Sequence, residues 1–267
     1  MDVSKRHLYI GGSDAAACVG ESPWKSRYDL WYEKVFNLII PIENEAVKWG
    51  ILLEDVVAQE FARRNGKKIR NAKKLYKHEK YPFLCGNIDR KVANESAVLE
   101  IKTTSQYNSD DWKESVPRHY YLQVLHYMMV TGYDKAYVAV LIGGQHYKQF
   151  EINRDESEIN WLLEKELELW ELVKTGTQPD ITEASKIINY AYPNDNGTTI
   201  QLSDTESIER YIEIRDKMKE LQDEQDFMQT LIKAEMQEAE MGIIGNYVVS
   251  WKTGKKNRTM RIKECVK

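Results

Sequence analysis

Apolar positions change their period several times along this chain, and each change marks an element. Ser13 followed by Asp14-Ala15-Ala16-Ala17-Cys18-Val19 and closed by Gly20 predicts a short helix capped by Ser13. A second helix starts near Ser26 and carries Leu30, Trp31 and Val35 on one side. After Pro41, the spacing of Ala46, Trp49, Leu53, Val56, Val57 and Phe61 predicts a long helix ending at Asn65-Gly66. Strands are expected over 69–76, 83–92 and 97–103. A helix should follow Pro117, run from Tyr120 to Thr131 and close at Gly132. Residues 137–142 and 145–152 alternate on either side of Gly143-Gly144, a hairpin signal, and 155–174 reads as helix. Strands, helix and strands in this order predict an α/β core with a mixed sheet flanked by helices.

Beyond that core the pattern loosens. Residues 175–197 are irregular, with Pro179, Pro193 and Asn196-Gly197. Residues 203–241 then read as one long charged helix. Its apolar positions, among them Ile208, Tyr211, Met218, Leu221, Met228 and Leu231, are loosely heptad-spaced. Packing on a neighbour and a short coiled coil both fit that spacing. The runs 247–251 and 259–262 predict a β-hairpin with a basic turn at Gly254. The expected organisation is a domain over 1–180 and an extension over 181–267, the latter holding a helix 203–241 and a basic hairpin 245–264.

Composition changes the picture in two places. With 267 residues, 42% hydrophobic and 30% charged, the chain has room for a sizeable core. No apolar run reaches membrane length and the N-terminus lacks a signal-peptide core, so the cytoplasm of a bacterial host is the expected compartment. Cys18, Cys85 and Cys265 are scattered, which excludes a four-cysteine metal or iron–sulfur site. The net charge of −4 speaks against a nucleic-acid partner, but its distribution speaks for one. Residues 63–80 carry nine Lys or Arg, Lys73 among them, against Glu79 alone. A second basic run from Lys252 includes Lys256 and Lys267. Local basic patches on an acidic chain suit a phosphate-binding groove, although each single lysine reads equally well as a solvated face.

The candidate chemistry lies in Gly86-Asn87-Ile88-Asp89-Arg90 and, ten residues on, Glu100-Ile101-Lys102. Side chains two apart on a strand share a face, so Glu100 and Lys102 point one way and Leu99 and Ile101 the other. If the strand around Asp89 pairs back across the turn 93–96, Asp89 reaches Glu100. Two carboxylates converging with a lysine can hold a hard divalent cation and a reactive water. Glu54, one turn after Gly50, can face the core side of its helix, where either a metal or a nearby Lys or Arg would partner it. Gln123 and Tyr127 are four apart and share a helix face with Tyr120. Arg6, the Gly11-Gly12 pair and Ser13 combine a cation with a helix N-terminus, an anion site or simply a capped turn.

The ordered set Arg6, Gly12-Ser13-Asp14-Ala15-Ala16, Ser22-Pro23-Trp24, Gly50…Glu54, Gly86-Asn87-Ile88-Asp89, Glu100-Ile101-Lys102 and Gln123…Tyr127 resembles the phage lambda exonuclease/YqaJ-type viral recombinase family. The resemblance spans roughly residues 5–175, with Ile88 standing where the PD-(D/E)XK superfamily signature has proline. It implies a PD-(D/E)XK restriction-endonuclease-like core and a Mg²⁺-dependent 5′→3′ double-strand DNA exonuclease of a phage or prophage recombination system, with Mn²⁺ able to substitute. By the same resemblance Glu54, Asp89, Glu100 and the Ile101 carbonyl hold metal, Lys102 is the catalytic lysine, and Gln123 and Tyr127 form the Gln-x-x-x-Tyr motif. Arg6 and Ser13 hold the 5′-phosphate of the DNA end. Implied partners are duplex DNA ends, a single-strand annealing protein and further copies of the chain in a ring of three, with no membrane. A structure-specific endonuclease of the same superfamily and a non-cleaving DNA-end-binding protein are the rival readings.

Overall fold

In the computed structural model, residues 3–38, 44–72, 74–182, 184–255 and 257–265 are described; Pro41 and the basic residues Lys73, Lys256 and Lys267 lie outside them. A 3-10 turn over Gly12–Asp14 leads into α1 (Ala15–Cys18), shorter than the helix expected from Ser13. Ser13 does not cap it. Its hydroxyl instead accepts a hydrogen bond from Arg6 (2.9 Å), and the Gly11 N–H is taken by the Asp14 carboxylate (3.2 Å). Helix α2 (Arg27–Phe36) opens on a reciprocal cap, Ser26 with Asp29. Helix α3 (Glu45–Asn65) opens on the Asn44 side chain and closes on Gly66 at positive φ.

Both long strands expected before residue 92 are broken. Residues 69–76 divide into β1 (Ile69–Asn71) and β2 (Tyr76–Lys77), and 83–92 into β3 (Cys85–Gly86) and β4 (Arg90–Val92). The cause is a change of sheet. β3 pairs with β2 in a small ribbon, whereas β4 lies between β1 and β5 (Ala97–Thr104) in the main sheet. The chain crosses from one to the other over residues 87–89, with Ile88 buried in the core. Asp89 therefore sits in the crossing, not within a strand.

After β5 the chain forms α4 (Arg118–Thr131), β6 (Lys135–Ile142), β7 (His146–Asn153), α5 (Glu156–Thr175) and α6 (Ile187–Ala191). The main sheet has the order β1-β4-β5-β6-β7, with β5 and β6 parallel and the other pairs antiparallel. α4 is the crossover that a parallel pair requires. The alternation of β5 assigns its faces. Leu99 and Ile101 pack with Val57, Ala58 and Phe61 of α3. Val98 packs with the core that holds Leu122, Leu125 and Met128 of α4. This is the mixed α/β architecture the sequence predicts.

The residues up to Asp195 form one unit and those from Asn196 a second. The second holds α7 (Thr205–Met236) and a three-stranded antiparallel sheet of β8 (Met241–Ile244), β9 (Tyr247–Thr253) and β10 (Arg258–Glu264). The Asp204 side chain caps α7. The helix ends five residues before the expected 241. Met236 is buried beside Gly242, and Arg258 gives its guanidinium to the Gln237 and Ala239 carbonyls (2.7 and 2.6 Å) while stacking on Trp251. Residues from Met241 thus become a strand, and the expected hairpin has a third member. Among the described residues no helix is long and apolar enough to cross a membrane.

One buried ion pair fixes α4 in the first unit. His126 gives Nδ1 to Glu166 of α5 (2.8 Å) and Nε2 to the Cys85 carbonyl of β3 (3.0 Å), with both side chains at 0% exposure. Two acceptors require two ring protons. Burial opposes that charge, but Glu166 outweighs it and holds the His126 pKa above the ordinary 6.5. A pKa raised by folding stabilises fully below the unfolded value and is lost as pH climbs through the folded one. Urea unfolding of the parent should therefore show stability falling from about pH 6.5 upward. Glu166→Ala should cost about 3–5 kcal/mol at about pH 6, by stranding a buried cation, and less at higher pH. A penalty independent of pH would mean that His126 is neutral.

Candidate active site

Glu100 and Lys102 follow from the period of β5. Both face α4, and Lys102 Nζ lies 2.7 Å from Glu100 Oε1. Gln123 on α4 completes the link, donating from Nε2 to Glu100 Oε1 (2.8 Å) and to the Tyr127 hydroxyl (3.0 Å) and accepting from Lys102 at Oε1 (3.0 Å). Burial works against the Lys102 charge, but Glu100 and Asp89 outweigh it and raise its pKa. Lys102 is thus a standing cation. Tyr120, one turn before Gln123, sets its ring 4.6 Å from the same ammonium.

Asp89 reaches this cluster from the sheet-to-sheet crossing. Its Oδ2 accepts the Ile101 N–H (2.8 Å), just past the point where β4 stops pairing with β5. N–H and C=O of one strand residue leave on the same side. The Ile101 carbonyl therefore faces the same open edge as Asp89. Burial and the neighbouring Glu100 carboxylate push the Asp89 carboxyl well above the ordinary aspartate value. Glu100 is 2% exposed and, among the described residues, its Oε2 has no hydrogen-bond partner. A half-buried carboxylate beside a buried one with an orphaned oxygen suits a hard divalent cation.

Glu54 lines the same pocket as Asp89, and its charge adds to the upward push on that carboxyl. The Glu54 carboxylate is held at 2.5 Å by Arg90, which also contacts Asp55 (3.3 Å) and the Asp89 carbonyl (2.8 Å). Among the described residues no three His, Cys, Asp or Glu side chains come together as a metal site. Asp89, Glu100 and the Ile101 carbonyl are the oxygens here that could serve a cation. The sequence assigns Arg90 no role, although its place directly after Asp89 is the available signal.

Arg6 and Ser13 line a second feature. A cleft of about 220 Å³ is bounded by Arg6, Tyr9, Gly11, Gly12, Ser13, Cys85, Gly86, Asn87 and Tyr127. Beneath it Asp14, 1% exposed, binds Lys34 at 2.7 Å, with Lys25 and Arg6 at 3.7 and 3.8 Å. Burial would raise the Asp14 pKa, but these three cations hold it far below the ordinary carboxylate range. None of these cations except Arg6 was read from the sequence as part of a site. The cleft and the carboxylates share one loop, since Gly86 and Asn87 line the first and Asp89 belongs to the second. They also share Tyr127, whose ring closes the cleft and whose hydroxyl meets Gln123.

Comparison with known proteins shows the family and the fold. A family model described as the YqaJ-like viral recombinase domain matches residues 3–134. The uncharacterized protein YqaJ of Bacillus subtilis (strain 168) is 38% identical over 273 residues, covering 97% of this chain and 86% of that protein. Among solved structures, an alkaline exonuclease from Laribacter hongkongensis superposes with a TM-score of 0.57 at 16% identity, over 65% of this chain and 92% of its own. A phage-related exonuclease from Haemophilus somnus 129PT does so with a TM-score of 0.50 at 15% identity, over 63% and 93%. At these identities the two structures speak to the fold.

The charge balance of the cluster yields a test without substrate. A carboxyl whose pKa is raised on folding contributes stability below its unfolded value, near 3.8, and loses it as pH rises. Asp89→Asn keeps an acceptor for the Ile101 N–H and removes the repulsion. At about pH 7 without metal it should stabilise the chain by on the order of 1 kcal/mol, or roughly 2–4 °C in Tm. Glu100→Ala should do the opposite, since it takes away the nearest partner of Lys102. Thermal melts in EDTA read both, and a lower Tm for Asp89→Asn would show that the two carboxylates do not repel.

Proposed function

We propose that this chain, which belongs to the YqaJ-like viral recombinase family, is a metal-dependent deoxyribonuclease that degrades duplex DNA from its 5′ ends. The observation that carries the proposal is the orphaned Glu100 Oε2, buried beside Asp89 and flanked by the charged Lys102. Such a group is costly to a fold unless a cation completes it.

Asp89, Glu100 and the Ile101 carbonyl would hold Mg²⁺, or Mn²⁺ in its place; Glu54 is left out of the set because Arg90 occupies it. Bound there, the ion supplies Lewis acidity at the scissile phosphate and a water of lowered pKa. Glu100 and Asp89 raise the Lys102 pKa, which favours its charged form. Lys102 acts as a fixed positive charge for the phosphate oxygen on which negative charge builds. Gln123 holds Lys102 and Glu100 in register from a neutral amide. Arg6 and Ser13, at the mouth of the cleft, would take the terminal 5′-phosphate, with Arg6 able to bind two of its oxygens. A terminal anchor one loop away from the carboxylates sets the polarity 5′→3′. The resulting 3′ strand would pass to a single-strand annealing protein in the cytoplasm of a bacterial host, and the chain would work as a ring of three copies, as in the lambda-type enzymes it resembles.

Two measurements test this reading. Lys102→Ala should lower the rate of digestion by about 10²–10³ while leaving the affinity for DNA within a fewfold, because its charge matters most when phosphate charge develops. A folded variant with near-parent rates would remove Lys102 from the mechanism.

The second concerns ends. Linear duplex with 5′-phosphate should be degraded faster than the same duplex with 5′-hydroxyl, and Arg6→Ala should shrink that preference. Covalently closed circular duplex should survive with Mg²⁺ present, and all cleavage should stop in EDTA. Cutting of the closed circle would establish the endonuclease rival, and binding without any Mg²⁺-dependent degradation the non-cleaving one.

A further inference from the structure

The Ser22-Pro23-Trp24 motif has no role so far, and Trp24 is its largest side chain. That side chain is 53% exposed. An exposed tryptophan alone means little, since single apolar side chains are common on surfaces. Here three observations add to it. The turn is pinned, because the Ser22 hydroxyl accepts from the backbone N–H groups of Trp24 and Lys25 (3.3 and 3.4 Å) and Pro23 fixes the intervening φ. The indole is propped from α4, edge-on to His119 (centroids 4.8 Å, 86°) and tilted against Tyr120 (5.7 Å, 49°). Tyr120 in turn lies against the Lys102 ammonium. A rigid, half-open aromatic surface thus stands one ring away from the cation that would face the scissile phosphate.

We infer that Trp24 is a stacking platform for an unpaired nucleobase of the strand being cut, next to the scissile phosphate. This rests on the nuclease reading above and extends it from the phosphate to the base. A phosphate held at Lys102 must carry a base on the adjoining sugar. At a duplex end that base is released from its partner at the lowest cost. The platform holds a π-face and, at Trp24, no charged group, so it recognises any of the four bases by stacking and brings no sequence preference. Tyr120 has a double duty: its ring contacts both the indole and the ammonium, so base and phosphate positions are set by the same side chain.

The test uses the full chain and a 5′-phosphorylated duplex carrying 2-aminopurine at the first, second or third nucleotide from the 5′ end. Binding in EDTA should change the probe's fluorescence strongly at one of these positions in the parent and in Trp24→Phe, and not in Trp24→Ala or Trp24→Leu. With Mg²⁺, KM should rise about tenfold for Ala and Leu and little for Phe, the usual range for loss of one base stack. The slope of log Kd against log salt should stay that of the parent, because no phosphate contact is removed. Equal fluorescence and KM in Trp24→Leu and the parent would overturn the stacking role. So would loss in Phe together with a lowered Tm, which marks a purely structural tryptophan. A parent that neither binds nor degrades duplex ends would instead overturn the nuclease reading, and the platform with it.

Discussion

A β-carbon on Gly12 would stand 2.4 Å from the Tyr127 ring, and one on Gly86 would stand 2.7 Å from it. That close approach on two sides is the constraint on which the site depends. It clamps three segments distant in sequence, the N-terminal turn, the end of β3 and the middle of α4, around one aromatic ring. The ring's hydroxyl then hands the geometry on to Gln123, and Gln123 to Glu100 and Lys102. Neither glycine has an unusual φ here; each is needed for space. His126, next to Tyr127, supports the clamp from behind by holding the Cys85 carbonyl and α5. Packing and ion pairing thus fix the same stretch of α4 from opposite sides.

The two acidic residues of the region with the largest shifts differ because of what surrounds them. Asp14 is buried and Asp89 half-buried. Asp14 has Lys34, Lys25 and Arg6 around it and stays ionised far below the ordinary range. Asp89 has Glu100 as its closest strong influence after burial, and Lys102 compensates only in part. The first is a finished structural anion that organises cations under the cleft. The second is an unfinished one. The two anions thus differ in what balances them, three cations for Asp14 and a lysine shared with Glu100 for Asp89.

How much of this was legible depended on the range of the interaction. The alternation of β5 and the four-residue spacing of Gln123 and Tyr127 are local, and both stand as the sequence reads. Asp89 near Glu100 was also legible, though as a strand neighbour. The exchange of sheets between β3 and β4 was hidden, because a two-residue strand leaves no period to detect. Ser13 was misplaced as a cap for a related reason: a serine before an alanine run looks the same whether its hydroxyl faces a backbone N–H or an arginine seven residues back. Glu54 shows the same limit. Its position on α3 suggested a buried partner, and only the fold decides that the partner is Arg90.

The neutrality of residue 123 follows from what its neighbours require. Lys102 offers a proton donor, Glu100 and the Tyr127 oxygen accept, and all three converge on one side chain. Only an amide presents an acceptor and donors at one end without charge. A glutamate there would accept from Lys102 but set a second carboxylate against Glu100, beside an Asp89 already raised by that carboxylate. A lysine or arginine would satisfy Glu100 and repel Lys102. With glutamine the cluster keeps two carboxylates against one ammonium. The amide thus preserves the site's charge while fixing its shape.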